Sequence, residues 1–194
     1  MLDKIEFVKP RDIEARSMEI ITGELGDTAW KEPELSVVRR CIHTSADFDY
    51  NINLKFSANA CKKGIQALRN GADIVTDTRM AMSGINKRRL AEYGGQVHCF
   101  IDDETVIKEA KQRGVTRSAI CMERGAGIKK PVIFAIGNAP TALIRLYELV
   151  ESGAVKPELV IGVPVGFVNV VESKELLLSM AGEHIVARGR KGGS

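Results

Sequence analysis

From residue 52 onward, short apolar runs alternate with amphipathic stretches, and this alternation constrains the fold more than any other feature of the chain. Residues 52–56, 72–75, 96–101, 118–122, 131–136, 158–161 and 183–187 read as strands. Between them, residues 59–68, 103–113, 139–150 and 172–180 read as helices, and 80–93 as a broken helix. Strand alternating with helix predicts an α/β fold, a three-layer α/β/α arrangement with a mostly parallel central sheet covered on both faces. Two helices precede this pattern. In residues 10–25, Ile13, Ile20, Ile21 and Leu25 recur at helical spacing and Gly26 follows as a stop. The second begins near Pro33, with Leu35, Val38 and Ile42 as its buried stripe. At 194 residues, with no repeat, low-complexity region or internal linker, the chain reads as a single domain spanning 1–194.

Composition narrows the functional classes. Aromatic residues are only 5% of the chain, so the core must rest mainly on aliphatic side chains. The net charge of +3 is too small to point to nucleic acid. The N-terminus has no apolar signal region, and no run approaches the ~20 apolar residues of a membrane span. A cytoplasmic protein without a membrane or nucleic-acid partner is expected. Cys41, Cys61, Cys99 and Cys121 each lie in or beside an apolar run and form no C-x-x-C pair. They read as buried, reduced thiols, and no metal site is expected.

Open parallel sheets bind ligands outside the carboxyl ends of their strands. Three predicted strands run into unusual loops: Thr76-Asp77-Thr78-Arg79-Met80, Gly137-Asn138-Ala139-Pro140-Thr141 and Gly162-Val163-Pro164-Val165-Gly166-Phe167. Parallel strands would open all three on one edge. Asp77 and Arg79 place a carboxylate and a guanidinium there; arginine can hold a substrate carboxylate by two parallel hydrogen bonds, or the loops can be tied by an internal salt bridge. The second loop removes bulk and then starts a helix that Asn138 or Thr141 could cap. Gly162 and Gly166 flank Pro164 in a stiff loop, either simply tight or open to a flat ligand.

Of the three histidines, His98 and His184 fall in strand patterns and read as structural or surface residues. His43 lies at the end of the second predicted helix, where the dipole favours positive charge, and Asp47 and Asp49 follow closely. An imidazole so placed suits general acid–base work. Ser17 falls on the apolar face of the first helix, where it can bond its own backbone or aim a hydroxyl at a ligand. The last segment, Arg188-Gly189-Arg190-Lys191-Gly192-Gly193-Ser194, joins cations to glycines whose amides can face an anion; a disordered basic tail is the other reading. No P-loop and no dinucleotide G-x-G-x-x-G after a strand is present, which counts against a nucleotide- or phosphate-binding enzyme.

These segments, taken in order, resemble the precorrin-8X methylmutase family, also called precorrin isomerase. The matching stretches are Ile13-Glu14-Ala15-Arg16-Ser17, Arg40-Cys41-Ile42-His43-Thr44-Ser45-Ala46-Asp47, Asp77-Thr78-Arg79-Met80, Gly137-Asn138-Ala139-Pro140-Thr141-Ala142-Leu143, Gly162-Val163-Pro164-Val165-Gly166-Phe167-Val168, Glu172-Ser173-Lys174 and Gly189-Arg190-Lys191-Gly192-Gly193-Ser194. Any one is weak; the ordered set over nearly the whole chain is specific. The family continues past the last stretch into a final helix that this sequence does not include.

The resemblance implies an isomerase of cobalamin biosynthesis that shifts a methyl group between adjacent carbons of a corrin precursor. The product would be hydrogenobyrinate from the metal-free substrate, or cobyrinate from cobalt-precorrin-8, the form towards which the reading leans. It implies a homodimer, and it requires no cofactor. His43 would be the proton donor and acceptor. Ser17, Thr44, Met80, Asn138, Pro140, Gly162, Pro164, Val165, Gly166 and Phe167, with Asp77, would surround the tetrapyrrole. Arg39, Arg40, Arg79, Arg117, Arg190 and Lys191 would meet its carboxylates. A non-catalytic tetrapyrrole carrier built on the same pocket is the alternative.

Overall fold

The computed structural model describes residues 5–194. The chain divides into two compact units, Met1–Ile52 and Asn53–Ser194. In the first, a 3-10 turn, Pro10–Asp12, leads into α1 (Ile13–Leu25), and α2 (Glu34–Ser45) packs against it. Gly26 ends α1 with φ 56°, and Ala46 ends α2 in the left-handed region at φ 53°, its amide returning to the Ile42 carbonyl. Two helices share one line of contact, so only Ile21, Val38 and Ile42 of the expected apolar stripes are buried. Ile13 and Ile20 are exposed. Trp30 closes the unit, its indole N–H donating to the Asn51 carbonyl at 2.9 Å. A short helix, α3 (Tyr50–Asn53), follows.

The second unit is built on a six-stranded sheet formed by the described residues, in the order β1-β6-β5-β4-β2-β3. The strands are β1 (Leu54–Phe56), β2 (Asp73–Thr76), β3 (Val97–His98), β4 (Val132–Ile136), β5 (Leu159–Gly162) and β6 (His184–Ala187). β2 to β6 are parallel, and β1 pairs antiparallel with β6 at one edge, Lys55 opposite Val186. Val75, Phe134, Val160 and His184 are paired in register across the middle.

Side chains alternate across the sheet, so its two faces bury different sets. One face carries Val75, Val132, Phe134, Ile136, Val160 and Val186 beneath α7 (Glu104–Arg113), α8 (Arg117–Ala126), α9 (Pro140–Glu151) and α10 (Val170–Ser179). Phe134 is the largest fully buried side chain, and the rest of this core is almost wholly aliphatic, as the scarcity of aromatics requires. Each such side chain contributes about 1.5–3 kcal/mol on burial. The other face receives α4 (Ala60–Arg69), whose Gly64 allows so close an approach that a Cβ there would stand 2.9 Å from Leu159. This is the three-layer α/β/α architecture with a mostly parallel sheet.

One expected element changes class. Residues 118–122, read as a strand, are helical within α8. Thr116 caps the helix by accepting the Ala119 amide, and Ile120, Cys121 and Gly125 present one helical face to the sheet. A short apolar run has no period of its own, so helix and strand cannot be told apart from it. The broken helix resolves into α5 (Arg79–Gly84) and α6 (Lys87–Glu92). The long third strand shrinks to two residues.

Candidate functional site

The first group of candidate residues lies in the N-terminal unit. His43 stands in the last turn of α2, and Ser17 lies midway along α1. Both line a pocket of about 200 Å³ with Ile20, Ile21, Glu24, Ile42, Ala46 and Phe48. Ser17 donates its hydroxyl to the Ile13 carbonyl at 2.9 Å, which leaves the oxygen's lone pairs available. The Nδ1 atom of His43 is buried and has no hydrogen-bond partner among the described residues. An imidazole lining a mostly apolar pocket, with Ser17 and Glu24 as the other polar side chains, is placed for proton exchange with a bound molecule. Arg40 bridges the two helices, donating to Glu14 at 2.6 Å. That bond and the arginine charge hold the Glu14 carboxyl below its usual value, with a smaller contribution from His43. Arg39 lies 3.8 Å from Glu32, its buried Nε unpartnered among the described residues. Thr44 spends its hydroxyl on the Arg40 and Cys41 carbonyls.

The second group lies on the sheet. Because β2, β4 and β5 are parallel, the loops following them open on one edge, as expected. Asp77 is 1% exposed and is the organising residue of that edge. Its Oδ1 accepts the Gly137 amide at 2.9 Å, and its Oδ2 accepts those of Asn138 and Ala139 at 2.8 and 2.7 Å. The carboxylate thus caps α9 from a neighbouring strand, and neither Asn138 nor Thr141 caps that helix. With three amides on its two oxygens, Asp77 holds the loop after β4 in place. Arg79 pairs through Nε with Asp102 at 2.8 Å, both side chains more than half exposed, an ion pair between the segments that follow β2 and β3. Arg117, at the start of α8, donates to the Ile101 carbonyl at 3.3 Å.

Around these polar groups the edge is apolar and open. Met80 and Phe167 are 72% and 79% exposed, and Val165 is exposed as well. Pro164 is buried, and Pro140 opens α9. A Cβ at Gly162, the last residue of β5, would stand 2.3 Å from the Leu177 side chain, so α10 packs close against the strand end. The Arg190 guanidinium lies over the Phe167 ring, 5.2 Å from its centroid. The basic segment is ordered on this edge: the Gly193 amide donates to the Val163 carbonyl at 2.9 Å and Ser194 shares a 2.8 Å hydrogen bond with Thr78. The disordered-tail reading therefore fails.

Asp102, which pairs with Arg79, and Lys174, which bonds the carbonyls of Gly189 and Lys191, are contacts of this edge that the sequence reading does not single out. Asp102 carries no local signal. Lys174 does, because it falls on the helical stripe Val170, Ser173, Leu177 where an apolar residue belongs. No disulfide joins Cys41, Cys61, Cys99 or Cys121; Cys61 and Cys121 are buried and Cys41 and Cys99 half-buried. Burial pushes the Cys121 thiol up to about 12, which makes it inert. Among the described residues, no group of three or more His, Cys, Asp or Glu side chains is arranged to hold a metal ion.

With this geometry established, comparison with known proteins decides the family. A sequence model described as precorrin-8X methylmutase matches residues 12–194. The chain belongs to this family. A cobalt-precorrin-8 methylmutase from Priestia megaterium is 44% identical over 187 residues, covering 96% of this chain and 83% of the relative. Another, from Salmonella typhimurium, is 44% identical over 194 residues, with 96% and 90% covered. The crystal structure of precorrin-8x methylmutase from Thermus thermophilus superposes with a TM-score of 0.86 at 38% identity, over 94% of this chain and 90% of that one. The chain is accordingly a methylmutase, an isomerase of cobalamin biosynthesis. No described helix is long and apolar enough to cross a membrane.

Proposed function

We propose that this methylmutase moves a methyl group between adjacent ring carbons of cobalt-precorrin-8 to form cobyrinate, with His43 as the proton donor and acceptor. One carbon–carbon bond breaks and another forms, so no atom is gained or lost. His43 gives a proton to the conjugated system as the methyl migrates and recovers one when the product tautomer is set, leaving the proton count unchanged. The carrying observation is the His43 imidazole lining one pocket with Ser17. The substrate's carboxylates are assigned to Arg39, Arg40, Arg79, Arg117, Arg190 and Lys191. Its flat faces are assigned to the small and apolar residues Met80, Pro140, Gly162, Pro164, Val165, Gly166 and Phe167, with Ser17, Thr44 and Asn138 as polar contacts. The cobalt form is preferred because the Priestia and Salmonella relatives bear that substrate in their names. The enzyme works in the cytoplasm as a homodimer; sedimentation of the purified chain at the mass of a monomer would remove the dimer from this reading.

Absorbance titration with the metal-free and the cobalt-bearing substrate, followed to product, tests the assignment. Conversion of the cobalt form supports it. Binding without conversion of either form would make the chain a carrier. In the same assay His43→Ala is expected to lower kcat by roughly 10²–10⁴-fold, the usual contribution of a positioned acid–base group, with binding little changed. Normal turnover by that variant would remove His43 from the mechanism.

A further inference from the structure

Lys174 is 0% exposed and lies in the middle of α10, on the stripe that buries Val170, Ser173 and Leu177. Its Nζ donates to the Gly189 carbonyl at 2.8 Å and to the Lys191 carbonyl at 2.7 Å. Among the described residues no carboxylate acts on it as a counter-charge. Burying an ammonium without a counter-charge is costly, and leucine or methionine would fill the same space on the helix more favourably. Packing therefore does not account for a lysine here. What it holds does.

The segment it holds runs along the carboxyl edge of the sheet. Arg188, the first residue after β6, is clamped by Glu175 of α10 through two hydrogen bonds, at 2.7 and 2.9 Å. The Arg190 carbonyl then accepts the Gly166 amide at 3.3 Å, and the Gly193 amide reaches Val163, both in the loop after β5. The segment next passes Gly137 after β4, where a Cβ would stand 2.7 Å from the Cα of Ser194. It ends at Thr78 after β2. At Gly192 an added Cβ would fall on the Val163 carbonyl oxygen, so the close approach depends on glycine. Between the Arg188 clamp and Thr78, Lys174 bonds this strap to α10, and its two acceptors bracket Arg190.

We propose that Lys174 is a positioning residue for the methylmutase reaction: by bonding the carbonyls of Gly189 and Lys191 it fixes residues 189–194 across the sheet edge, so that Arg190 and Lys191 stand where substrate carboxylates bind. This deepens the functional reading above and rests on it. The strap contributes to substrate affinity, whereas proton transfer belongs to His43. Loss of its anchor therefore raises KM and leaves kcat nearly as it was.

The test compares wild type, Lys174→Met and Gly192→Ala. Amide hydrogen exchange of residues 189–194 reads the strap. Absorbance titration and steady-state kinetics with the metal-free and cobalt-bearing substrates read binding and turnover. Both variants are expected to exchange faster in the strap and to bind the substrate about tenfold more weakly, with kcat within about threefold of wild type, the scale of one displaced charge-assisted contact. Gly192→Ala displaces the strap without altering α10 and reads whether the strap binds substrate; should Lys174→Met fail to fold, Lys174→Gln, too short to reach both carbonyls, reads the anchor by the same exchange and binding measurements. Faster exchange with unchanged affinity would overturn the proposal, because the strap would then not be a binding element. Unchanged exchange in Lys174→Met would also overturn it, because Lys174 would not be the anchor. A wild-type chain that binds neither substrate defeats the functional reading itself, in a measurement that no variant enters.

Discussion

At the scale of single residues, the site depends on groups whose partners are far away in sequence. The place of His43 at a helix end was legible because its setting is local: the helix shows in its own apolar spacing. Asp77 was recognisable as a strand-end carboxylate, but its task was not. Its three amide partners lie some 60 residues away on another strand's loop. Only the pairing of β2 with β4 brings them together. Removing that carboxylate leaves helix-start amides without an acceptor. Asp77→Ala is therefore expected to lower unfolding free energy by about 2–3 kcal/mol. Asp77→Asn, which keeps one acceptor oxygen, should lose less. Urea denaturation of the two variants measures this, and an unchanged midpoint for the alanine variant would mean the loop is held by something else.

Among elements, the long periodic helices were the most legible and the short apolar runs the least. The stretch that became α8 was misread because an isolated run of four or five apolar residues is compatible with either period. Its cap at Thr116 and its glycine at Gly125 decide for a helix. A Cβ at Gly125 would stand 2.7 Å from Phe134, so that helix lies close against the sheet. β3 shows the opposite case, an edge strand reduced to two residues and pinned by side chains. Asp73 of β2 accepts His98 Nε2 and Lys130 Nζ at 2.8 Å each and the Gln96 amide at 3.0 Å. Burial alone would raise the Asp73 carboxyl, but hydrogen bonds from Lys130, His98 and the Gln96 amide outweigh it and hold the group below the ordinary carboxylate range. A depressed carboxyl stabilises the fold above its unfolded-state pKa and loses that contribution as pH falls through the folded value. Wild type should thus exceed Asp73→Asn in stability at neutral pH, and the gap should close in acid. Urea midpoints at several pH values check it; a gap independent of pH would assign the effect to packing alone.

Over the whole molecule, one buried cation should shape the alkaline side of the stability curve. Burial draws the Lys174 ammonium down to about 8, below its usual value. Above that pH the unfolded chain binds the extra proton, so stability rises with pH between about 8 and the unfolded lysine range near 10.4. Below the lower value the charged form is buried at a standing cost. Other groups titrate in the same window, so the comparison is with Lys174→Met. The difference in unfolding free energy between wild type and variant should shift in favour of wild type as pH rises from 7 to 10. Parallel curves would show that the burial of this charge is relieved in solution.

The sequence by itself determined the class of fold, the direction of most strands, the edge on which the loops open and the family to which the chain belongs. These follow from hydrophobic period, from glycine and proline placement and from ordered motifs, which are properties of neighbouring residues. Tertiary structure decided which polar groups meet which partners. It turned Asp77 into a cap, paired Arg79 with Asp102 and, among the described residues, gave Nδ1 of His43 no hydrogen-bond partner. It also laid the basic tail across the sheet edge over Lys174. The physical reason is that a hydrogen bond or a charge pair is made between groups brought together by strand pairing and helix packing, and that juxtaposition has no signature in the spacing of residues along the chain.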